Sequence, residues 1–427
     1  MKILIKNANL ISMSDSRKKY EKNVDILIDG SIIEKIDRNI QIQENIKVID
    51  ATGKIVMPGL INTHAHIPMS IFRETIDGYG LQEWLEEKIW PMEANLKDED
   101  IYYATYLSCI EMIKTGCTTI NDMYFMTDSI IKAVTKSGVR IQTTRTLMSG
   151  GDTVDTRLNE LKRLINEYKE NTLVSFNAGI HGLYTTEEKD TKDFIEFAKA
   201  NNIPVHMHFC ENEKEVEDIK KSYGVKSVIE VLKKYFTEIP LILAHAVELT
   251  DDEIKELSKF KNISVSHCPV SNLKLGCGIS KIQLMLDNNI NVSLGTDGQG
   301  SGSSLDMFET MKFTALLQKG IYKNPKAIPA YEVLKMATIN GAKALGLDNK
   351  IGSIEEGKIA DIIVINVNTE VMQPVNDVIA DIVYNANGNN VETTIINGKI
   401  LMENRMLDYN EKEVYEKCEK IINKISK

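Results

Sequence analysis

The sequence predicts an α/β protein: a (β/α)8 TIM-like barrel that carries a small β-sandwich domain formed from both chain ends. Three observations predict it. Eight apolar runs rich in β-branched residues cross the middle of the chain, most of them separated by segments of helical period. Short alternating runs of strand type occupy the first ~55 residues and return near the end. All seven histidines, with Arg145 and Asp297, fall at or near the C-terminal ends of the central runs, which is where such barrels build their active sites.

The N-terminal runs are KILIKNANLIS, VDILIDGSIIEKI and KVIDATGKIV, with Asp29-Gly30 as a hairpin-turn signal. KIADIIVINVN, DIVYNANGN and VETTIINGKILMEN have the same texture near the C-terminus. Neither end is long enough to bury a core alone, so residues 1–56 and 355–427 are expected to fold together as one β-domain, with the barrel, 57–354, inserted between them. A charged helix, Glu411 to Lys427, closes the chain. The central runs end near His66, Asp122, Arg145, His181, His208, His245, His267 and Asp297. DEDIYYATYLSCIEMIKTG is typical of the helices between them, with acids in its first turn and Gly116 past its end.

Composition narrows the function classes. With 427 residues, 43% hydrophobic and 26% charged, the chain reads as an ordinary globular protein. A net charge of −10, from 51 basic and 61 acidic residues, argues against nucleic-acid or acidic-membrane partners. The first fifteen residues do not resemble an export signal, and no stretch approaches the ~18 apolar residues of a membrane span. Six cysteines without a CxxC pair suit a reducing cytoplasm, the expected location.

The chemistry starts from His64 and His66. Residues i and i+2 of a strand share a face, so both imidazoles can reach one cation. His206 and His208 repeat the spacing, which alone leaves open which of them binds metal. Asp297, in Gly295-Thr296-Asp297-Gly298, is either a carboxylate ligand or a turn aspartate. Three neutral histidines and one carboxylate suit Zn2+ or another borderline divalent ion, with a position left for water. Glu211, three residues past His208, either shuttles protons over the site or caps the helix that NEKEVEDIKK opens. His245 and His267 end the sixth and seventh runs, where they contact substrate or support the ligands from behind.

Read in order, PGLINTHAH, HMHFCEN, LAHAVELT, SHCPVSNLKL and SLGTDG resemble the amidohydrolase superfamily. PMSIFRETIDGYGLQEWLEEKIWPMEANL narrows the resemblance to its 5-methylthioadenosine/S-adenosylhomocysteine deaminase branch, and the likeness covers nearly the whole chain. The resemblance implies one divalent metal per subunit, held by His64, His66, His208 and Asp297. Zn2+ is expected, and the ligand set also tolerates Fe2+, Mn2+ and Ni2+. The family pattern His-x-x-Glu decides the second HxH pair in favour of His208. By the same resemblance Glu211 is the proton shuttle to the purine ring and His245 orients the attacking hydroxide. Glu93 binds the ribose hydroxyls with Trp84 beside the nucleoside. Arg145 and Arg157 contact the amino-acid carboxylate of the longer substrate, and His181 lines the same pocket. Ser301 takes the small polar position after the aspartate. Relatives commonly self-associate, so a homo-oligomer is expected.

The implied reaction converts the adenine of 5-methylthioadenosine, S-adenosylhomocysteine or adenosine to the inosine analogue and ammonia. Glu211 protonates the ring nitrogen beside the reacting carbon, while Asp297 takes the water proton and passes it to the departing amine. One departure from the family stands out. Gly298-Gln299-Gly300-Ser301-Gly302-Ser303-Ser304 replaces the common Ala-Ala-Ser-Asn-Asn, which predicts a more mobile loop and obscures the role of Ser301. No lysine suited to carbamylation ends the fourth run, so one metal is expected rather than two.

Plainer readings compete for several residues. Trp84, with Leu81, Leu85 and Ile89, could be the packed face of a short helix, and Glu93 a solvated acid. Arg157 opens a charged helical stretch, where a surface position is the default; Arg145, at a strand end, is the safer arginine. Two rival functions remain: a guanine, pterin or triazine deaminase or dehalogenase on the same scaffold, and a barrel that has lost catalysis and serves as an interaction protein. The pocket residues argue against the first and the complete ligand set against the second.

Overall fold

A computed structural model describes residues 2–41, 46–74 and 77–425. Thr75 and Ile76 of the branch-specific segment, and the last two residues of the closing helix, Ser426 and Lys427, lie outside the described residues. The N-terminal part forms β1 (Lys2–Leu10), β2 (Glu21–Asp29), β3 (Ile32–Asp37), β4 (Lys47–Asp50) and β5 (Ile55–Pro58). The centre holds β6 (Leu60–Ala65), β7 (Cys117–Asp122), β8 (Arg140–Thr143), β9 (Val174–Phe176) and β10 (Ala178–Gly182). It continues with β11 (Val205–Phe209), β12 (Leu241–His245), β13 (Ile263–His267) and β14 (Asn291–Leu294). The C-terminal part adds β15 (Ile362–Ile365), β16 (Val391–Ile396), β17 (Lys399–Glu403) and β18 (Met406–Leu407).

The two chain ends share one sheet, ordered β18-β17-β16-β15-β5-β1-β2-β3, with β4 also paired to β1. The junction is the antiparallel pair β5/β15, in register from Pro58 opposite Ile362 to Ile55 opposite Ile365. A separate apolar cluster explains why the ends need each other: Ile3, Ile26 and Val56 from one end pack with Ile362, Val364 and Ile395 from the other. One C-terminal expectation fails. Within DIVYNANGN, Asp381–Tyr384 is not strand but part of a helix, Val378–Tyr384. Asp377 caps that helix by accepting from the N–H groups of Ile379 and Ala380, and Ile382 and Val383 face the core. The local cap and helical burial override the β-branched composition.

The central strands form two parallel sheets, β6-β7-β8-β9 and β10-β11-β12-β13-β14, with helices in the connections. The first sequence run divides at Gly59 into β5, in the nine-stranded sheet, and β6, in a parallel one. A side chain at Gly59 would collide with Thr118, its Cβ only 2.2 Å from the threonine methyl, so the close approach of the two sheets requires glycine. The fourth run divides at Asn177, whose backbone N–H still donates to Thr143 O at 2.9 Å and whose side chain donates to Asn121 at 2.8 Å. Beyond that break Leu147 pairs with Ile180 in parallel fashion. At the other seam Asp297 N–H donates to His64 O at 3.0 Å, and Asn62 Nδ2 to Thr296 Oγ1 at 2.7 Å.

Arg140 of β8 ties the parallel strands to the nine-stranded sheet. It grips Asp361 in a buried two-point ion pair, Nε to Oδ2 at 2.8 Å and Nη2 to Oδ1 at 3.1 Å. The expected helix over DEDIYYATYLSCIEMIKTG runs Asp98–Thr115 and ends on a left-handed Gly116. The closing helix, Glu411–Ile425, buries Val414, Cys418, Ile421 and Ile425 along one face. Lys417 and Lys424 pair with Glu99 and Asp100 at the start of Asp98–Thr115. Among the described residues no helix is long and apolar enough to cross a membrane.

Candidate active site

The C-terminal ends of β6, β11, β12 and β14 converge on one point. His64 and His66 arrive from β6, His208 from β11 and Asp297 from the turn after β14, each offering one donor atom within 4.8 Å of the others. His66 Nε2 lies 3.1 Å and His64 Nε2 3.4 Å from Asp297 Oδ1. His66 Nε2 and His208 Nε2 are 3.2 Å apart. The outer ring nitrogens are occupied: His66 Nδ1 donates to Met123 O, and His208 Nδ1 to His181 O at 2.6 Å. Those bonds turn the two Nε2 atoms toward each other and toward Asp297, and once His66 gives up its proton both can face a cation between them. His64 Nε2 is buried with no hydrogen-bond partner among the described residues, while His64 Nδ1 meets His206 Nε2 at 2.9 Å. Asp297 Oδ2 accepts from Ser271 Oγ at 2.6 Å and Ser301 Oγ at 2.7 Å, which turns Oδ1 toward the histidines.

The electrostatics favour positive charge at this point. Burial pushes the His66 imidazole down, but the hydrogen bond and charge of Asp297 outweigh it and bring it to about 9. Burial works the other way on Asp297, and the facing His64 and His66 nevertheless hold its carboxyl well below the usual range. His64, wholly enclosed, is lowered to about 3 by burial. Asp297 adopts φ 63° and His245 φ 72°, left-handed backbone that costs a non-glycine residue free energy and re-aims the side chain at the strand end.

Glu211 stands beside the cluster. Burial, reinforced by the charge of Asp297, raises its carboxyl to about 8, so it carries a proton at neutral pH. Oε2 lies 3.7 Å from His245 Nε2, and the Cys277 thiol donates to Oε1 at 3.7 Å. Capping of the next helix, Glu213–Tyr223, falls to neighbours: Asn212 accepts from Glu215 N–H, and the Glu215 carboxylate accepts from the N–H groups of Cys210 and Glu211. The Glu211 side chain is therefore free for chemistry.

Above this floor opens a cavity of about 650 Å³, into which His66, His208, Glu211 and Asp297 face. Trp84, Glu93, Arg145, Arg157 and His181 line its walls, with Met123, Phe125, Met126 and Met148. Trp84 belongs to the helical turn Trp84–Ile89, so it is both a packed helix residue and a wall. Glu93 accepts from the Tyr124 hydroxyl at 2.5 Å, and burial raises it to about 7 despite that bond. Arg145 donates to Glu160 at 2.7 Å and to Asp152. Arg157 is buried rather than on the surface, because its guanidinium spends its donors on the carbonyls of Thr146, Gly150 and Asp152. His181 donates or accepts at Thr185 Oγ1, 2.9 Å away, and burial lowers it to about 4.

The pattern of an amidohydrolase family model matches residues 55–401. The chain belongs to the amidohydrolase family. The 5′-deoxyadenosine deaminase of Methanocaldococcus jannaschii is 42% identical over 408 residues, covering 94% of this chain and 96% of that relative. The 5-methylthioadenosine/S-adenosylhomocysteine deaminase of Thermoanaerobacter pseudethanolicus is 41% identical over 413 residues, covering 95% and 94%. Among solved structures, an adenosine deaminase from Xanthomonas campestris with bound zinc superposes with a TM-score of 0.95 at 27% identity, over 99% of this chain and 98% of that one.

In this amidohydrolase His206 is buried, its Nε2 2.9 Å from His64 Nδ1, and it stands outside the group of four side chains gathered on one point. His267 is also fully buried, its two ring nitrogens without partners and burial lowering it to about 3. The glycine-rich loop departs from expectation. Residues Gln299–Gly302 form a buried helical turn, and its glycines serve close packing rather than mobility. A Cβ on Gly298 would meet Met69 at 2.5 Å, and one on Gly302 the Thr296 carbonyl at 2.1 Å. That packing places Ser301 on Asp297. Sequence reasoning passed over Ser271, Asn272 and Cys277, which reach Asp297, His245 and Glu211. The signal for Ser271 and Asn272 lay in SHCPVSNLKL; Cys277 stands two residues beyond that motif.

Proposed function

We propose that this amidohydrolase is a metal-dependent deaminase of 5′-substituted adenosines, releasing ammonia from the adenine ring of 5-methylthioadenosine, S-adenosylhomocysteine or 5′-deoxyadenosine. The observation that carries the reading is the buried Glu211, its Oε2 3.7 Å from His245 Nε2, beside three histidines and an aspartate gathered on one point. The activities named for the two relatives at 42% and 41% identity support the same substrate class.

His64, His66, His208 and Asp297 would hold one divalent cation, and zinc fits their donor set. When bound, such an ion supplies Lewis acidity and a water acidic enough to attack at neutral pH. Glu211 delivers its proton to the ring nitrogen beside the carbon under attack, which makes that carbon more electrophilic. Asp297, its second oxygen held by Ser271 and Ser301, takes the proton of the attacking water and passes it to the departing amine, and the proton left on the new hydroxyl returns to Glu211 as the carbonyl forms. His245 steers the attacking oxygen. Trp84 flanks the nucleoside and Glu93 accepts from the ribose hydroxyls, while Arg145, Arg157 and His181 surround the 5′ substituent.

The two parallel sheets we read as one closed (β/α)8 barrel spanning 57–354, with a β-sandwich companion built from 1–56 and 355–427. The bonds across both seams, Leu147 with Ile180 and Asp297 with His64, support closure. Six unpaired cysteines favour a cytoplasmic setting, and we place the working enzyme in a homo-oligomer with small molecules as its partners.

The test is ammonia release from S-adenosylhomocysteine, 5-methylthioadenosine, 5′-deoxyadenosine, adenosine and guanine by metal-loaded protein. Release from the adenosine derivatives is expected. Silence on all of them would remove the purine-nucleoside assignment.

A further inference from the structure

Between β13 and β14 the chain passes behind both Glu211 and His245, and one residue there is bonded toward each of them. Asn272 lies in the short helix Pro269–Lys274 and is almost wholly buried. Its side-chain Oδ1 is 2.8 Å from His245 Nδ1. Its backbone carbonyl accepts the Cys277 N–H at 2.8 Å, and Cys277 turns its thiol onto Glu211 Oε1.

We propose that Asn272 is a positioning residue: by accepting the Nδ1–H of His245 through Oδ1, it fixes the Nδ1–H tautomer and leaves Nε2 as a bare acceptor facing Glu211. A neutral imidazole has one donor and one acceptor nitrogen, so the partner of one decides the character of the other. The acceptor face of the asparagine amide is the one on the ring. His245 Nε2 is buried and has no hydrogen-bond partner among the described residues, so its lone pair is available to a proton of water or substrate. The geometry opposite agrees. Glu211 Oε2 stands 3.7 Å away, beyond hydrogen-bond distance, so it leaves the Nε2 position open. The same asparagine ties the Cys277 segment, leaving Oε2 as the oxygen of Glu211 that meets the substrate.

This inference rests on the deaminase reading for its rate measurement alone; the tautomer is observed without turnover. Asn272→Asp keeps the acceptor and the shape, and Asn272→Leu keeps the approximate volume and removes the acceptor. With metal-loaded protein, Asn272→Leu should lower kcat by about 10–100-fold with KM little changed, and Asn272→Asp should recover most of that loss. Nitrogen-15 spectra of selectively labelled histidines, with His245 assigned by its own substitution, should show a protonated Nδ1 and a bare Nε2 in the zinc-loaded parent. An Nε2–H tautomer in the parent protein overturns the proposal, as does an Asn272→Leu protein with parental kcat, or an Asn272→Asp protein as impaired as the leucine variant. Should the parent deaminate no adenosine derivative, the deaminase reading fails while the spectra still decide the tautomer.

Discussion

Glu211 Oε2 and His245 Nε2 lie 3.7 Å apart with both side chains buried. That pairing puts a proton-carrying acid and a neutral imidazole side by side, both within reach of Asp297. Glu211→Gln removes the transferable proton while keeping the shape. It should lower kcat by about 10²–10⁴-fold with metal content unchanged by elemental analysis. Near-parental turnover would take Glu211 out of the mechanism.

With Glu93 as the acceptor for the ribose hydroxyls, a pH dependence should fall on binding rather than on chemistry. Burial raises its carboxyl to about 7 against the opposing Tyr124 hydrogen bond. Below that pH the group is protonated and accepts ribose hydroxyls poorly; above it the carboxylate accepts both. KM for adenosine substrates should therefore rise as pH falls through about 7, and Glu93→Gln should flatten the dependence. A 2′,3′-dideoxynucleoside should show none. An unchanged KM profile in Glu93→Gln would place the ribose elsewhere.

Metal removal should abolish turnover and lower the thermal midpoint together, because the four side chains that would hold the ion also join the ends of β6, β11 and β14. A ligand present at 100 times its dissociation constant stabilises the folded state by roughly 2.7 kcal/mol. Chelation followed by calorimetry, then return of zinc, reads both effects. A midpoint indifferent to metal would argue that no ion binds there.

Arg145 bears on which 5′ substituent is preferred. Its donors already engage Glu160 and Asp152, so an incoming carboxylate must compete with them. Arg145→Gln should reduce kcat/KM for S-adenosylhomocysteine by about tenfold, the effect of losing ~1.4 kcal/mol. 5′-Deoxyadenosine, which carries no carboxylate, should be spared. Equal losses on both substrates would assign Arg145 a structural role only.

Stability at the junction of the sheets depends on Arg140 and Asp361, both buried. Asp361 Oδ1 also accepts from Asn397 N–H at 2.7 Å. Arg140→Leu strands that carboxylate and should cost about 3–5 kcal/mol in denaturant unfolding, leaving kcat near parental at low temperature. A loss under about 1 kcal/mol, the worth of an exposed pair, would mean that water reaches the ion pair.

Much of this was legible in residue order. Strand and helix periods are local, so the alternation of β-branched runs with amphipathic segments announced an α/β protein, and HxH announced two imidazoles on one face whatever the surroundings. The shared core of the two ends was legible too, since neither end carries enough apolar surface to close on itself. Where local signals compete, the sequence was a poorer guide. Asp381–Tyr384 reads as strand by composition, yet the Asp377 cap and the burial of Ile382 and Val383 make it helix. The glycines after Asp297 read as freedom, yet they are contacts too close for a Cβ.

Spacing therefore determined the kind of site, because which side chains share a strand face follows from the pleat alone. Only the tertiary structure decided how each group is tuned. The raised acid of Glu211 beside Asp297 and the bond from His245 to Asn272 join residues distant in sequence, while Arg157 is buried among carbonyls that its own preceding loop folds around it. Burial and hydrogen-bond direction are properties of the packed chain, and no pattern of neighbours along the sequence contains them.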